Sequence, residues 1–367
     1  MRRIGIVCGL VIGISLMTGL AVHGEDALSS GLSELLQDAG TDSLTEGLDP
    51  EHPETLTGIS FWHVLSVIGA ELRTTAEAPL RTFLLLCGVI LMTAVSGGLQ
   101  GENGAAGTVC QTISVLCAVC IAVPPLSKAF AVSSAVLTHT ADFTAGFSVI
   151  YAGVLAAGGG VTSAAVYQSS MAAVCQLAME ISTRVLLPML GMCMAMSIVD
   201  AVNPAVSLAG ILQLLQKTTV WILGLLMAVF LGLLSVQSLV SVAADRAGTK
   251  AAKYMISGFV PIIGGAVSDA YTALLGSMGV LRTGAGTVGI AAMLSLLLPV
   301  LLELGVYRLL AGAAAAVSEL FGTAALTRLF RDLGAVLAAG FSIAVSFSVM
   351  FIFSTAVMML ISGNLSG

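Results

Sequence analysis

The chain has 367 residues, 57% of them hydrophobic and only 9% charged, with a mean hydropathy of +1.04. A soluble domain carries about 25% charged residues, so an ordinary water-soluble enzyme is excluded; continuous apolar runs also exclude an outer-membrane barrel, whose strands alternate. The net charge of −6 hides an asymmetry: residues 25–77 hold most of the acids and a single base, Arg73, and no basic stripe exists on which nucleic acid could release counterions.

Met1-Arg2-Arg3 followed by the apolar stretch Ile4–Val22 reads as an export signal over 1–24, with Val22 and Gly24 flanking a cleavage point. Residues 25–81 then form an exported acidic segment. Within it Phe61, Leu65, Ile68 and Leu72 lie on one helical face between Ile59 and Arg73, with Trp62 near the start. That pattern predicts an amphipathic helix at the membrane interface.

Residues 82–367 form an all-α, polytopic membrane domain. The apolar runs predict about eight spans: 83–99, 109–127, 135–158, 185–202, 218–242, 257–281, 286–306 and 335–360. Arg246, Lys250 and Lys253 place the loop after the fifth span in the cytoplasm. Counting from there puts 159–184, Arg308, Arg328 and Arg331 inside, and both the acidic segment and the C-terminus outside.

Some spans are interrupted. The sixth carries Pro261, Gly264 and Gly265, which free backbone groups that lipid cannot satisfy and so predict a helix break facing protein or a wet cavity. A charge at membrane depth is costly, so Asp142, Asp269 and Glu303 are the candidate pathway-lining residues. Glu303 and Arg308 are placed to pair.

Comparing the chain with itself aligns Phe147, Ile150 and Gly153 with Phe259, Ile262 and Gly265, and Leu186, Leu187, Pro188 and Leu190 with Leu297, Leu298, Pro299 and Leu301. Lys217 aligns with Arg328, and Gly224, Ala228 and Gly232 with Gly340, Ala344 and Ser348. Repeats over 135–242 and 257–360 would each hold three spans, and an odd number inverts the second copy, as in transport-type folds.

Other chemistry is missing from the sequence. It has no GxxxxGK[ST] loop, and His23, His52, His63 and His139 show no metal-ligand spacing. Gly284–Gly289 matches GxGxxG but opens a membrane span, so it reads as a tight turn with helix-packing glycines. Cys117 and Cys120 form a CxxC inside an apolar helix and read as small packing residues. No catalytic, cofactor-binding or metal residues are assigned, and an enzyme is not expected.

The stretch KYMISGFVPIIGGAVSDAYTALLGSMGVLRTGAGTVGI, Lys253 to Ile290, resembles the stage III sporulation protein AE family of endospore-forming bacteria, as do SVQSLVSVAAD, Ser235 to Asp245, and the FWHVL around Trp62. The resemblance implies an integral component of the channel complex between mother cell and forespore, in the mother-cell-derived membrane around the forespore. Its implied partners are the other stage III sporulation A proteins and stage II sporulation protein Q; a homo-oligomer is also compatible. Three readings follow: a protein lining a pathway in that complex, a non-conducting scaffold of it, or an independent secondary transporter.

Overall fold

A computed structural model describes residues 61–100, 105–203, 208–259 and 264–363; the export signal and most of the acidic segment lie outside the described residues. All secondary structure among the described residues is helical. Helix α1 spans Phe61–Gln100, α2 Ala105–Ala157, α3 Val161–Ile181, α4 Leu187–Val202, α5 Ala209–Phe259, α6 Gly264–Leu320 and α7 Ala324–Gly363. Six stretches are long and apolar enough to cross a membrane: Ile68–Ser96, Val109–Ala157, Val161–Val202, Ala209–Gly248, Arg282–Leu320 and Ala324–Leu360.

The eight-span order is corrected in three places. The runs 109–127 and 135–158 are one helix, α2, which passes through Pro124 and Pro125 without a turn. Proline removes a ladder hydrogen bond, but Ser127 donates to the carbonyl of Pro124 at 2.9 Å and helps satisfy the bend. The runs 257–281 and 286–306 both belong to α6, so Gly284–Gly289 is helix and not a turn. The stretch 159–184, expected as a cytoplasmic segment, is instead α3. A π-turn at Ser182–Leu186 joins α3 to α4, with the Leu187 N–H donating to the Ser182 carbonyl. This shift of register falls just before Pro188, which has no N–H to offer the regular ladder.

At the N-terminal end, the expected interfacial helix Ile59–Arg73 is not a separate element. Helix α1 runs from Phe61 to Gln100 with Pro79 inside it.

Two turns have the same chemistry. At the α2–α3 turn Gly159 has φ +85°, the Gly160 N–H donates to the Leu155 carbonyl at 3.0 Å, and the Gly159 N–H to Ala156 at 3.0 Å. At the α6–α7 turn Gly322 has φ +69°, with Thr323 N–H to Ser318 at 3.0 Å and Gly322 N–H to Glu319 at 3.1 Å. Both are Schellman closures, in which glycine takes the left-handed residue and the last carbonyls find donors.

Glycines also set how closely the helices pack. A methyl group at Gly289 would overlap the Phe147 ring, and one at Gly286 would meet Met359 at 2.6 Å. The packing role expected of these glycines is therefore seen, without the turn. Phe147 stacks on Tyr151 at 5.4 Å and meets Phe351 at 5.3 Å, binding α2 to α7 under α6. Because that ring is held on several sides, Gly289→Ala is expected to destabilise by about 1–3 kcal/mol through overpacking. Gly312→Ala, where a methyl meets nothing within 4 Å, should not; thermal unfolding of the two variants in detergent checks the difference.

The direction of the helices corrects the inverted repeat. Arg282, near the start of the core part of α6, donates to Leu155 at the α2–α3 turn, and Asp200 at the end of α4 is in electrostatic range of Asp332 near the start of α7. The α3–α4 rod and α6 therefore run the same way, and so do α5 and α7. The matched segments are parallel because the second copy contains two helices, not three.

The same geometry places the end of α7 beside Gly286, at the turn end of the bundle, and Arg328 and Arg331 toward the opposite end. The orientation drawn from the bases, with all of them on one side and the C-terminus on the other, does not fit helices this long. At 1.5 Å per residue the 49 residues of Val109–Ala157 extend about 74 Å, more than twice the ~30 Å of a hydrocarbon core. One half of the bundle matches that thickness: 143–157, 161–179, 218–244, 283–302 and 333–360 contain no Asp, Glu, Lys or Arg. The α2–α3 turn marks the rim of this zone.

Candidate functional site: a charged clamp on the α2–α3 turn

Helix α3 begins without a capping side chain, because its N-cap is Gly160. An N-cap oxygen normally accepts from the second and third amides of the helix. Here Asp245 of α5 does so from a distant part of the chain: its Oδ1 accepts from the Thr162 N–H at 2.9 Å and its Oδ2 from the Ser163 N–H at 2.9 Å. On the other side of the turn, the Arg282 guanidinium of α6 donates Nη2 to the Leu155 carbonyl at 3.3 Å. An anion thus sits at the start of α3 and a cation at the end of α2, each at the helix terminus whose dipole favours it.

Both groups are withdrawn from water, Asp245 being 4% exposed and Arg282 2%. They interact electrostatically with each other, and Arg282 also with Tyr151, so neither charge is buried alone. Gly158 makes the room: a methyl there would occupy the position of the guanidinium.

The polar environment continues inward. Tyr151 packs edge-on against Tyr167 at 5.2 Å, and the Tyr167 hydroxyl lies 3.4 Å from that of Thr355 on α7. Since Asp245 and Arg282 meet at one turn, the chain between them leaves and returns to the same level. The helical legs 246–259 and 264–281 extend past it by about 20 and 27 Å at 1.5 Å per residue. On the α5 leg Arg246 and Lys250 are exposed, and Tyr254 is 82% exposed.

The residues expected to line a pathway are not gathered here. Asp142 is exposed on α2. Glu303 is half-buried on α6, in electrostatic range of Lys128 on α2 and of Tyr307. It does not pair with Arg308, which is exposed; five residues along a helix turn the two side chains to different faces. Asp269, Gly264 and Gly265 fall in the first turns of α6 with side-chain surroundings outside the described residues, and Pro261 lies outside them altogether.

Among the described residues no three His, Cys, Asp or Glu side chains are grouped to hold a metal. Cys117 and Cys120 are exposed on α2 rather than packed, whereas Cys175 and Cys193 are buried. A small apolar pocket lies between α1, α2, α6 and α7, lined by Pro79, Leu126, Tyr307 and Phe330 among others. It suits a hydrocarbon group and not a charged solute.

Sequence reasoning passed over Asp245 and Arg282 because lone charges between apolar runs look like loop residues. One signal was available. Gly158-Gly159-Gly160 supplies no Ser, Thr, Asp or Asn to cap the next helix, so an acceptor had to come from elsewhere.

Long apolar helices, glycine-tight packing and buried charges used as interhelical caps define a polytopic α-helical membrane protein. The family model for stage III sporulation protein AE matches residues 51–362, and the chain belongs to that family. It is 23% identical over 141 residues to the stage III sporulation protein AE of Bacillus subtilis (strain 168), a match covering 38% of this chain and 35% of that protein. The shared stretch is thus about a third of that relative's length. No solved structure matches the chain.

Proposed function

We propose that this chain is an integral membrane component of the channel complex between mother cell and forespore, seated in the mother-cell-derived membrane around the forespore. In this reading it assembles with the other stage III sporulation A proteins and with stage II sporulation protein Q. Family membership over residues 51–362 carries the proposal, and six helices long enough to cross a membrane support it. Deleting the gene in its own host should arrest development after engulfment, and a tagged copy restored to that strain should co-purify with those partners. Sporulation at the parental level in the deletion strain would refute the proposal.

Within the complex, a pathway role assigns Asp269 and Glu303 to the route, with Asp142, Pro261, Gly264 and Gly265 beside it. A scaffold role is favoured by one observation: the most deeply buried charges, Asp245 and Arg282, cap helix ends and hold four helices together. Asp269→Asn in the sporulating host separates the two. The pathway role predicts a spore yield reduced by about tenfold or more, corresponding to at least ~1.4 kcal/mol at the limiting step, at unchanged protein level. Full yield at that level assigns the protein to the scaffold.

A further inference from the structure

Several buried hydroxyls next to the clamp are left without a protein partner. The hydroxyls of Tyr151 on α2, Ser163 on α3 and Ser354 on α7 make no hydrogen bond, and these residues are 0%, 2% and 0% exposed. The Tyr167–Thr355 contact between them, at 3.4 Å, is longer than a direct hydroxyl–hydroxyl bond. They are neighbours: Tyr151 lies in the field of Arg282, its ring meets that of Tyr167, Ser354 precedes Thr355, and the Ser163 amide is held by Asp245.

Native interiors rarely leave such groups unmet, and the usual remedy is a buried water making about three hydrogen bonds. We propose that ordered water occupies the interior between Arg282 and the Tyr167–Thr355 pair, bridging Tyr151, Ser163 and Ser354. Glycine at 158, 159, 160 and 286 leaves no side chain of the turn or of this face of α6 to reach those hydroxyls. A small anion fits less well, because the Asp245 carboxylate already occupies the start of α3 and offsets the charge of Arg282. A metal ion fits less well still, with one carboxylate and a cation at the site. The site stands on these contacts alone and does not depend on the proposed role in sporulation.

The test uses the full-length chain in detergent or nanodiscs. Removing a hydroxyl that truly lacks a partner leaves stability unchanged or raises it, whereas removing one that binds water lowers it. Tyr151→Phe and Ser354→Ala should each lower the thermal midpoint by about 2 °C or more, and the double variant should lose less than the sum, because the two share one cluster. X-ray radiolytic labelling of the unmodified protein in ¹⁸O-water should mark Tyr151 faster than Phe147, its equally buried but apolar neighbour. Midpoints that hold or rise in both variants, or labelling of Tyr151 no faster than of Phe147, would overturn the proposal. So would a midpoint that falls when chloride is exchanged for gluconate, which would place an anion there. Should either variant fail to fold, labelling of the unmodified chain decides.

Discussion

Arg282→Ala is expected to be the most damaging single substitution at the turn, lowering stability by about 3–5 kcal/mol. That is the range for removing one partner of a buried charge pair. The reason lies in what stays behind. Asp245 keeps its two amide bonds but loses the cation that offsets its burial, and the Leu155 carbonyl loses a donor. Arg282→Lys should recover part of the loss, since it restores the charge but not the fork. Adding Asp245→Asn to Arg282→Ala should also recover part, because the remaining charge is removed. The yield of monodisperse protein after detergent extraction, with the thermal midpoint, gives the measurement. A midpoint unchanged by Arg282→Ala would mean that the two charges do not sense each other.

Gly158→Ala is expected to cost about 2 kcal/mol, the scale of a hydrogen bond to a charged group. The new methyl takes the place of the guanidinium, and a side chain 2% exposed has no route to solvent. Gly153→Ala, one helical turn earlier and with nothing within 4 Å of the added methyl, is the control and should be neutral or stabilising by up to ~1 kcal/mol on helix propensity. If the clash with Arg282 is the cause, Gly158→Ala should cost little when made in the Arg282→Ala background. Equal costs in both backgrounds would point to the turn itself.

How much of this could be read from the sequence depends on the kind of residue. Composition and run length suffice for a helical membrane protein, because burying a chain this apolar admits little else. The family could be read from Lys253–Ile290. Helix ends were less legible. Pro124-Pro125 with Lys128 looks like the end of one span and the start of another, yet Ser127 and the packing of Leu126 and Ala129 carry the helix through. Thr162, Ser163, Gln168, Ser169 and Ser170 depress the hydropathy of 159–184 enough to suggest a loop. In the fold, Ser163 and Ser170 face inward around Tyr167, and α3 is continuous. The site was the least legible part. Asp142 and Glu303 were singled out for lying in apolar runs, whereas the groups that meet, Asp245 and Arg282, are brought together only by tertiary structure.

The two glycine turns differ in what each must wait for during synthesis. The α6–α7 bend closes with its own residues, since the Thr323 hydroxyl donates to the Ser318 carbonyl at 2.9 Å. The α2–α3 bend has its Schellman bonds but not its charged partners until residues 245 and 282 have left the ribosome. The earlier hairpin in the chain is therefore the later one to be locked, and a translocon or chaperone that holds α2 and α3 apart in the interval guards the step on which the rest of the packing depends.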